Sequence, residues 1–450
     1  MSCQVKIKSS KPTRRRFMQN TATALGTACF APWFVPGEAL GKNGIVAPSN
    51  RITIGMIGMG RQAIYANTNP FLHSKNCQVV AVCDVDTWRL DKAKKKIDDF
   101  YKNSDCKAYT DWREVVARDD MDAIMNSTAD HWHVPISLAA VRKGKHVSCE
   151  KPLTLSIAEG RVLADAAKKK GVVFRTDSEC RSHSYMHKTA ELAYNGYLGN
   201  IKRIEVGVPA GDKAGGNPKP MEVPEELDYD MWVGPAPMKP YTVDRVHPRH
   251  SYQRPGWMRC RDTCEGMITN WGTHLLDVAQ QLNKTERTGP VSVEGTGKYP
   301  EPGSGLWNVL TEFRVQFKYA KGVVLDYLID VPYLRVEGDE GWIQAHWNSK
   351  GGLQAHDKSI FRTKFKKSDT RFPQRMDKAD FIYAIKNQCN TMADAEVGHR
   401  TCSLGQLGHI AIQRGAKLEW DPQSERFLND DKANQMLHIP YRKPWELSAM

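Results

Sequence analysis

Three short polar segments contain residue types that could move a proton or a hydride. They are Thr128–His133, Cys149–Pro152 and Gly266–Asp277. The first two follow apolar runs that are typical of buried strands. Because the carboxyl ends of parallel strands meet at one edge of an open α/β sheet, we expect both segments at that edge. In the third segment, His274 and Asp277 are one helical turn apart and can share a face, with Asn270 one turn earlier.

A glycine-rich turn indicates what these segments surround. The apolar run Ile52–Ile57 predicts a strand, and it ends in the turn Gly58–Ala63, which has the G-x-G-x-x-G/A pattern that binds a pyrophosphate at a helix N-terminus. A second apolar run, Val79–Cys83, ends in Asp84, about 20 residues after the turn, where an acid usually binds a ribose. We therefore predict a dinucleotide site. Asp84 favours NAD over NADP because a carboxylate repels a 2′-phosphate.

The order of the apolar runs predicts the domains. Short apolar runs alternate with helical stretches over residues 50–177, as in a doubly wound parallel sheet of the Rossmann type. Residues 178–450 predict an α+β domain with a large, open and mainly antiparallel sheet. Its predicted strands are Ile201–Val208, Val291–Gly297, Asn308–Tyr319, Val323–Val331 and Leu334–Val336. Helices are predicted at Lys378–Gln388 and Thr401–Lys417, and a long basic segment rich in proline and glycine at Pro209–Glu265.

Composition excludes several classes of protein. Of the 450 residues, 40% are hydrophobic and 26% are charged, which is ordinary for a globular protein, and we predict no integral membrane segment. The net charge of +13 lies partly in the first residues, and no nucleic-acid-binding module accompanies it. Cys260 and Cys264 lack the second pair of ligands that a zinc site needs, so we predict no metal site.

The N-terminal segment is typical of a targeting signal. The segment Thr13–Met18, with its consecutive arginines and Phe17, resembles the twin-arginine export signal. We therefore expect residues 1–41 to be a leader and the protein to be periplasmic or otherwise exported by that pathway.

Together these motifs resemble the Gfo/Idh/MocA family of sugar oxidoreductases, which includes glucose–fructose oxidoreductase and inositol dehydrogenase. The tripeptide Glu150-Lys151-Pro152, joined to the glycine turn, is the most specific part of the resemblance. The segments Glu226–Pro237 and Asp394–Arg400 are similar to the exported bacterial branch. The resemblance covers essentially the whole chain after the leader.

The resemblance implies a role for individual residues. It places the catalytic residues Lys151 and His274 on opposite sides of one pocket, with Lys151 beside the nicotinamide, and it implies a cis bond before Pro152. The cofactor-binding residues are then Gly58, Gly60, Arg61, Gln62, Asp84, Thr128, His133, Glu150 and Lys151. We expect substrate binding by Asn270, Asp277, Trp257 and Arg259. Asn270 stands where many members have Asp, which removes one ionisable partner of His274.

Two functional classes follow from these expectations. The first is an oxidoreductase with tightly bound NAD that acts on a secondary hydroxyl of a carbohydrate. The alternative is an NAD-dependent glycosidase of the α-N-acetylgalactosaminidase type, which oxidises C3, eliminates the glycoside, adds water and reduces again. A non-catalytic sugar-binding protein is disfavoured because the glycine turn, Lys151 and His274 are all present. We also expect a homo-oligomer formed through the C-terminal sheet, and no nucleic-acid partner.

Overall fold

A computed structural model gives the structure of residues 46–211, 213–348 and 351–449. The predicted leader, residues 1–41, lies outside these ranges. From Ile52 onward the described residues form one compact unit that contains both predicted domains.

The first sheet has six parallel strands. They are β1 (Ile52–Ile57), β2 (Cys77–Cys83), β3 (Lys107–Tyr109), β4 (Ala123–Asn126), β5 (His146–Glu150) and β6 (Phe174–Asp177). Their order is β3-β2-β1-β4-β5-β6, and every neighbouring pair is parallel. This confirms the predicted Rossmann sheet. The strand order reverses between β1 and β4, and ligands bind at the carboxyl ends of the strands at such a point.

Helices cover both faces of this sheet. They are α1 (Thr68–Leu72), α2 (Thr87–Tyr101), α3 (Trp112–Ala117), α4 (His133–Arg142) and α5 (Ile157–Lys170). Helix α5 follows Ser156, whose backbone N–H donates to the Glu159 carboxylate at 3.1 Å. Asp86 caps the N-terminus of α2, and its carboxylate accepts a hydrogen bond from the amide of Arg89.

The second sheet has nine strands and is mainly antiparallel, which confirms the predicted fold class. They are β7 (Ile201–Val208), β8 (Ser292–Lys298), β9 (Glu312–Lys318), β10 (Val324–Ile329), β11 (Tyr333–Gly338), β12 (Gly341–His346), β13 (Leu353–Ala355), β14 (Leu418–Asp421) and β15 (Arg426–Phe427). Their order is β13-β12-β11-β7-β10-β9-β8-β14-β15, and β7 and β10 are parallel. The alternation along β9 exposes one face of the sheet and buries the other.

The remaining helices are α6 (Ser184–Tyr194), α7 (Tyr229–Val233), α8 (Met267–Asn270), α9 (Gly272–Leu282), α10 (Asp377–Asn387), α11 (Ala395–Arg414) and α12 (Asp431–Gln435). Helix α11 contacts α9 and β8 in the second part of the molecule and α5 in the first. A Cβ on Gly405 would lie 2.5 Å from the carbonyl oxygen of Ile268, so glycine lets α11 approach α8 closely. No helix in the described ranges is both long and apolar enough to cross a membrane.

Candidate active site and cofactor site

A cavity of about 450 Å³ opens at the carboxyl edge of the first sheet, beside the point where the strand order reverses. The glycine turn and the ends of β4 and β5 form one wall. Asn270 and Trp271, at the junction of α8 and α9, form the other wall together with part of the segment Pro209–Glu265. Its lining includes Gly58, Gly60, Arg61, Gln62, Asp84, Thr128, His133, Glu150, Lys151, Trp257 and Asn270. The cavity thus brings together eleven of the fourteen predicted site residues.

The glycine turn fits a dinucleotide. Gly58 has a φ of +82°, and a Cβ there would lie 2.7 Å from the backbone of the segment after β4, so the position requires glycine. A Cβ on Gly60 would have no atom within 4 Å, so this backbone faces open space where a pyrophosphate could approach it. The residues present therefore fit the cofactor that the motif predicts.

Asp84 stabilises the glycine turn and also lines the cavity. One carboxylate oxygen accepts a hydrogen bond from the amide of Met59 at 2.6 Å, and the other accepts one from the amide of Asp86 at 2.9 Å. Burial raises the pKa of Asp84, and these two amides act in the opposite direction. Each oxygen keeps a second lone pair, so the carboxylate can also accept from ribose hydroxyls.

The Lys151 ammonium group points to the second wall of the cavity. Its Nζ donates to the backbone carbonyl and to the side-chain oxygen of Asn270, both at 3.2 Å. An aspartate at position 270 would form an ion pair with Lys151. The Asn270 side-chain amide instead holds the Lys151 side chain without neutralising its charge. The peptide bond between Lys151 and Pro152 is cis, which confirms the expectation from the resemblance.

His274 is held as a neutral proton acceptor. Its Nδ1 lies 2.7 Å from the carbonyl oxygen of Ser178, which can only accept, so Nδ1 carries the hydrogen and Nε2 has the free lone pair. Burial, with the positive charge of Lys151, lowers the pKa of His274 to about 3. The ring is 6% exposed and lies behind Trp271, which lines the cavity, with ring centroids 5.4 Å apart. His274 is therefore one layer behind the wall rather than on it.

The structure does not bring Asp277 and Arg259 to the cavity, contrary to the expected contact with substrate. Asp277 is 1% exposed, pairs with Arg181 at 2.6 Å and accepts from the hydroxyl of Ser178. Because Ser178 also holds His274, Asp277 is a positioning residue. The Arg259 guanidinium lies 4.3 Å from the ring centroid of Trp307, so it packs within the protein instead of lining the cavity.

Buried polar groups fix the ends of β4, β5 and β6. The His133 ring lies between two carbonyls, with Nδ1 2.7 Å from that of Pro152 and Nε2 3.2 Å from that of Thr128. It therefore links the first polar segment to the second. Lys378, on α10, pairs with Asp177 at 2.8 Å and lies 3.6 Å from Glu150. A role for Lys378 was not predicted from the sequence, because Lys378 lies 201 residues after its partner Asp177 in the chain. It also belongs to a predicted helix with many polar residues.

Asp130 is a cavity residue that sequence reasoning missed, although it lies inside the first polar segment. It is 2% exposed, and its Oδ2 atom is buried without a hydrogen-bond partner in the described ranges. Burial raises the pKa of Asp130 to about 7, although a hydrogen bond from Cys264 and the positive charge of Lys151 both act to lower it. A carboxyl that can change its charge near neutral pH thus faces the same space as Lys151.

We expect Asp130→Asn to stabilise the protein at pH 8, by about 2–4 kcal/mol, and by much less at pH 4. The folded Asp130 carboxyl keeps its proton up to about pH 7, whereas the unfolded chain releases it near pH 4. The wild type therefore loses stability as the pH rises between these values. The Asp130→Asn variant does not, because asparagine does not titrate. Thermal unfolding from pH 4 to 8 measures the difference, with the exposed Asp91→Asn as the control. An equal gain at every pH would contradict the prediction.

The nine cysteines in the described residues are free thiols. Within the same residues, no group of three or more histidine, cysteine, aspartate or glutamate side chains could hold a metal ion.

Comparison with known proteins places the chain in a family. The Gfo/Idh/MocA model described as "Oxidoreductase family, NAD-binding Rossmann fold" matches residues 52–178. The model described as "Oxidoreductase family, C-terminal alpha/beta domain" matches residues 213–447, which is more than half of the chain.

Individual relatives are more distant. An alpha-N-acetylgalactosaminidase of Shewanella oneidensis is 30% identical over 141 residues, which is 30% of each chain. The chain matches only about a third of the length of such curated relatives. The fold is similar to those of an aldose-aldose oxidoreductase from Caulobacter crescentus (TM-score 0.60, 15% identity) and a levoglucosan dehydrogenase in complex with NADH and levoglucosan (TM-score 0.60, 17% identity). Each alignment covers 82% of this chain and 99% of the other.

These two structures show the shared fold alone, but the family models span both parts of the molecule. The chain therefore belongs to the Gfo/Idh/MocA oxidoreductase family and contains its NAD-binding Rossmann domain and its C-terminal alpha/beta domain.

Proposed function

We propose that the protein is an NAD-dependent oxidoreductase that acts on a secondary hydroxyl of a carbohydrate. The observation that carries the proposal is the position of Lys151 in one cavity with the glycine turn and Asp84. Trp257 and Trp271 also line this cavity and offer apolar ring faces beside polar groups, which suits a sugar. The names of the similar solved structures, which include an aldose-aldose oxidoreductase, agree with this substrate class.

When bound, the nicotinamide accepts or donates the hydride. The residues of the chain bind and orient the sugar and transfer the proton of its hydroxyl group. Lys151 is held by Asn270 so that its Nζ faces the cavity, where it can bond the reacting hydroxyl oxygen. His274 Nε2 has a free lone pair, because Ser178 holds the hydrogen on Nδ1, but the ring lies behind Trp271 and can reach the sugar hydroxyl only after that side chain moves. Asp277 and Arg181 fix Ser178 and so fix the orientation of the ring.

We propose that the cofactor is NAD rather than NADP. We expect Asp84→Asn to reduce the preference for NAD by about 10-fold or more, because it removes the negative charge that repels a 2′-phosphate. Asparagine keeps one oxygen that can accept from a backbone amide, so the glycine turn should persist. Titration calorimetry with both dinucleotides measures the ratio of affinities, and Asp91→Asn on the exposed side of α2 is the control. A wild type that binds both equally would contradict the proposal.

The twin-arginine pattern adds a condition on turnover. Outside the cytoplasm free NAD is not regenerated, so an exported dehydrogenase needs either a retained cofactor that cycles between two substrates or a redox-neutral reaction. The second case is the glycosidase alternative, which the partial match to an alpha-N-acetylgalactosaminidase favours. Lys151, part of the dehydrogenase pattern, supports the first.

One assay separates the two reactions. The enzyme is incubated with a panel of aryl glycosides in deuterated water without added cofactor. A glycosidase that passes through a C3 ketone must exchange the C2 hydrogen and release the aglycone. A cofactor-cycling oxidoreductase does neither and oxidises a sugar only when a second carbonyl substrate is present. Aglycone release with deuterium at C2, lost in Lys151→Ala, would replace the proposed function with the alternative.

A further inference from the structure

Part of the long basic segment Pro209–Glu265 lies against the cofactor side of the cavity. We call residues 224–258 of this loop the strap. Its residues Tyr252, Gln253 and Pro255 line the cavity that also contains the glycine turn and Asp84. The strap therefore forms a second wall of the site where the first sheet would hold the dinucleotide.

The strap is fixed to the residues just after β2. Its backbone pairs with theirs, since Asp228 N–H donates to Val85 O at 3.0 Å and Thr87 N–H donates to Glu226 O at 2.8 Å. The buried Arg89 pairs with Asp86 and donates to the carbonyl of Ser251 at 2.8 Å. Each of these anchors lies within five residues of Asp84. The position of the strap is thus tied to the part of the Rossmann domain that would hold the adenosine.

His247 gives the strap one further anchor. Its Nε2 lies 2.9 Å from Asp86 Oδ2, the same carboxylate that binds Arg89. Arg89 also donates to the carbonyl of Pro248 at 3.1 Å. Arg249 of the strap is likewise paired within the protein, with Glu226 at 2.8 Å, so at least these two basic residues are engaged without a ligand.

Tyr252 is the strap residue with an unmet hydrogen bond. Its ring packs against Trp88 at 5.2 Å and against Tyr65 at 5.9 Å between centroids. Its hydroxyl oxygen is buried and has no partner in the described residues, although the residue lines the cavity. A buried hydroxyl without a hydrogen-bond partner lowers the stability of the fold. Its position beside the cavity therefore indicates that a bound ligand supplies the missing partner. Burial raises the pKa of Tyr252 to about 12, so the hydroxyl stays protonated and can donate at neutral pH.

We propose that the strap closes over the adenosine half of the bound dinucleotide and that the Tyr252 hydroxyl hydrogen-bonds to it. The inference rests on the proposed function, and it assigns to the cofactor a set of residues that the glycine-turn motif does not contain. The dinucleotide can then leave only when the strap detaches from Asp86 and Arg89. Retention of the cofactor is a property of this chain's strap and not of the Rossmann sheet alone.

The test measures cofactor release directly. Protein loaded with NAD is diluted into excess isotope-labelled NAD, and the mass of the complex is followed by native mass spectrometry. We expect Tyr252→Phe, which removes only the hydroxyl, to exchange about 3–10-fold faster than wild type. Tyr252→Leu, which also removes the ring contacts, should exchange faster still. The matched control is Tyr65→Phe, because Tyr65 is exposed and lies against the same ring.

A second readout follows the strap itself. It contains Arg245, Arg249 and Arg254, so trypsin can cleave it when it is detached. NAD should slow this cleavage in wild type and slow it less in Tyr252→Leu. Wild-type exchange rates in both Tyr252 variants, with circular dichroism showing folded protein, would overturn the inference while leaving the proposed function in place. A wild type that neither contains nor binds a dinucleotide would overturn both.

Discussion

Lys151→Met should lower the rate of the redox step by about 10²–10⁴-fold, the usual effect of a positioned proton-transfer group. The variant removes the ammonium group that Asn270 holds toward the cavity and keeps a side chain of similar length. Sugar affinity should change much less, because Trp257, Trp271 and Asn270 remain in the cavity wall. Rapid mixing of NAD-loaded enzyme with sugar, followed at the absorbance of NADH, measures the step in a single turnover.

The matched control is Lys143→Met, since Lys143 is an exposed lysine at the end of α4. Native mass spectrometry should find the same NAD content in wild type, control and Lys151→Met. A redox rate within a few-fold of wild type would remove Lys151 from the chemical step. A loss of bound NAD would instead show that Lys151 acts by holding the cofactor.

His274→Asn should lower the same single-turnover rate by about 10²–10⁴-fold. Asparagine can still donate a hydrogen bond to Ser178, but it has no nitrogen that accepts a proton. Because burial and Lys151 lower the pKa of His274 to about 3, the wild-type ring stays neutral throughout the neutral range. The pH profile of the step should therefore lack an inflection from His274 between pH 5 and 8.

Asp277→Asn distinguishes a catalytic from a structural role of this histidine. It weakens the pair with Arg181 and loosens Ser178 while leaving the His274 ring present. We expect a smaller loss of rate than in His274→Asn, together with a lower unfolding temperature. Equal losses in the two variants would indicate that His274 only maintains the loop around Ser178.

The features that could be predicted from sequence are those set by local pattern. The strand β1, the glycine turn and Asp84 depend on residues close together in the chain, so their geometry follows from a known motif. Strand β7 begins and ends where its predicted strand does, at Ile201 and Val208. Strands β12 and β13 were not predicted, because β13 has only three residues and only Ile343 and Ala345 of β12 are buried.

The features that could not be predicted depend on contacts between distant segments. Asp277 shares a helix face with His274, as expected, but its partner Arg181 lies 96 residues earlier. That pairing, not local pattern, removes Asp277 from the cavity. The contact between Trp88 and Tyr252 likewise depends on the path of the strap, which carries no periodic pattern. Arg259, expected to contact substrate, does not line the cavity, because its guanidinium packs on Trp307.

Helix α11 opposes a separation of the two sheets. The same helix packs against α5 beside the first sheet and against α9 and β8 beside the second. A hinge motion that separated the two sheets would have to expose apolar surface on one side of this helix, at about 25 cal/mol for each Å². We therefore expect the two sheets to stay together while sugar and product enter and leave the cavity, so that these steps depend on movements of loops.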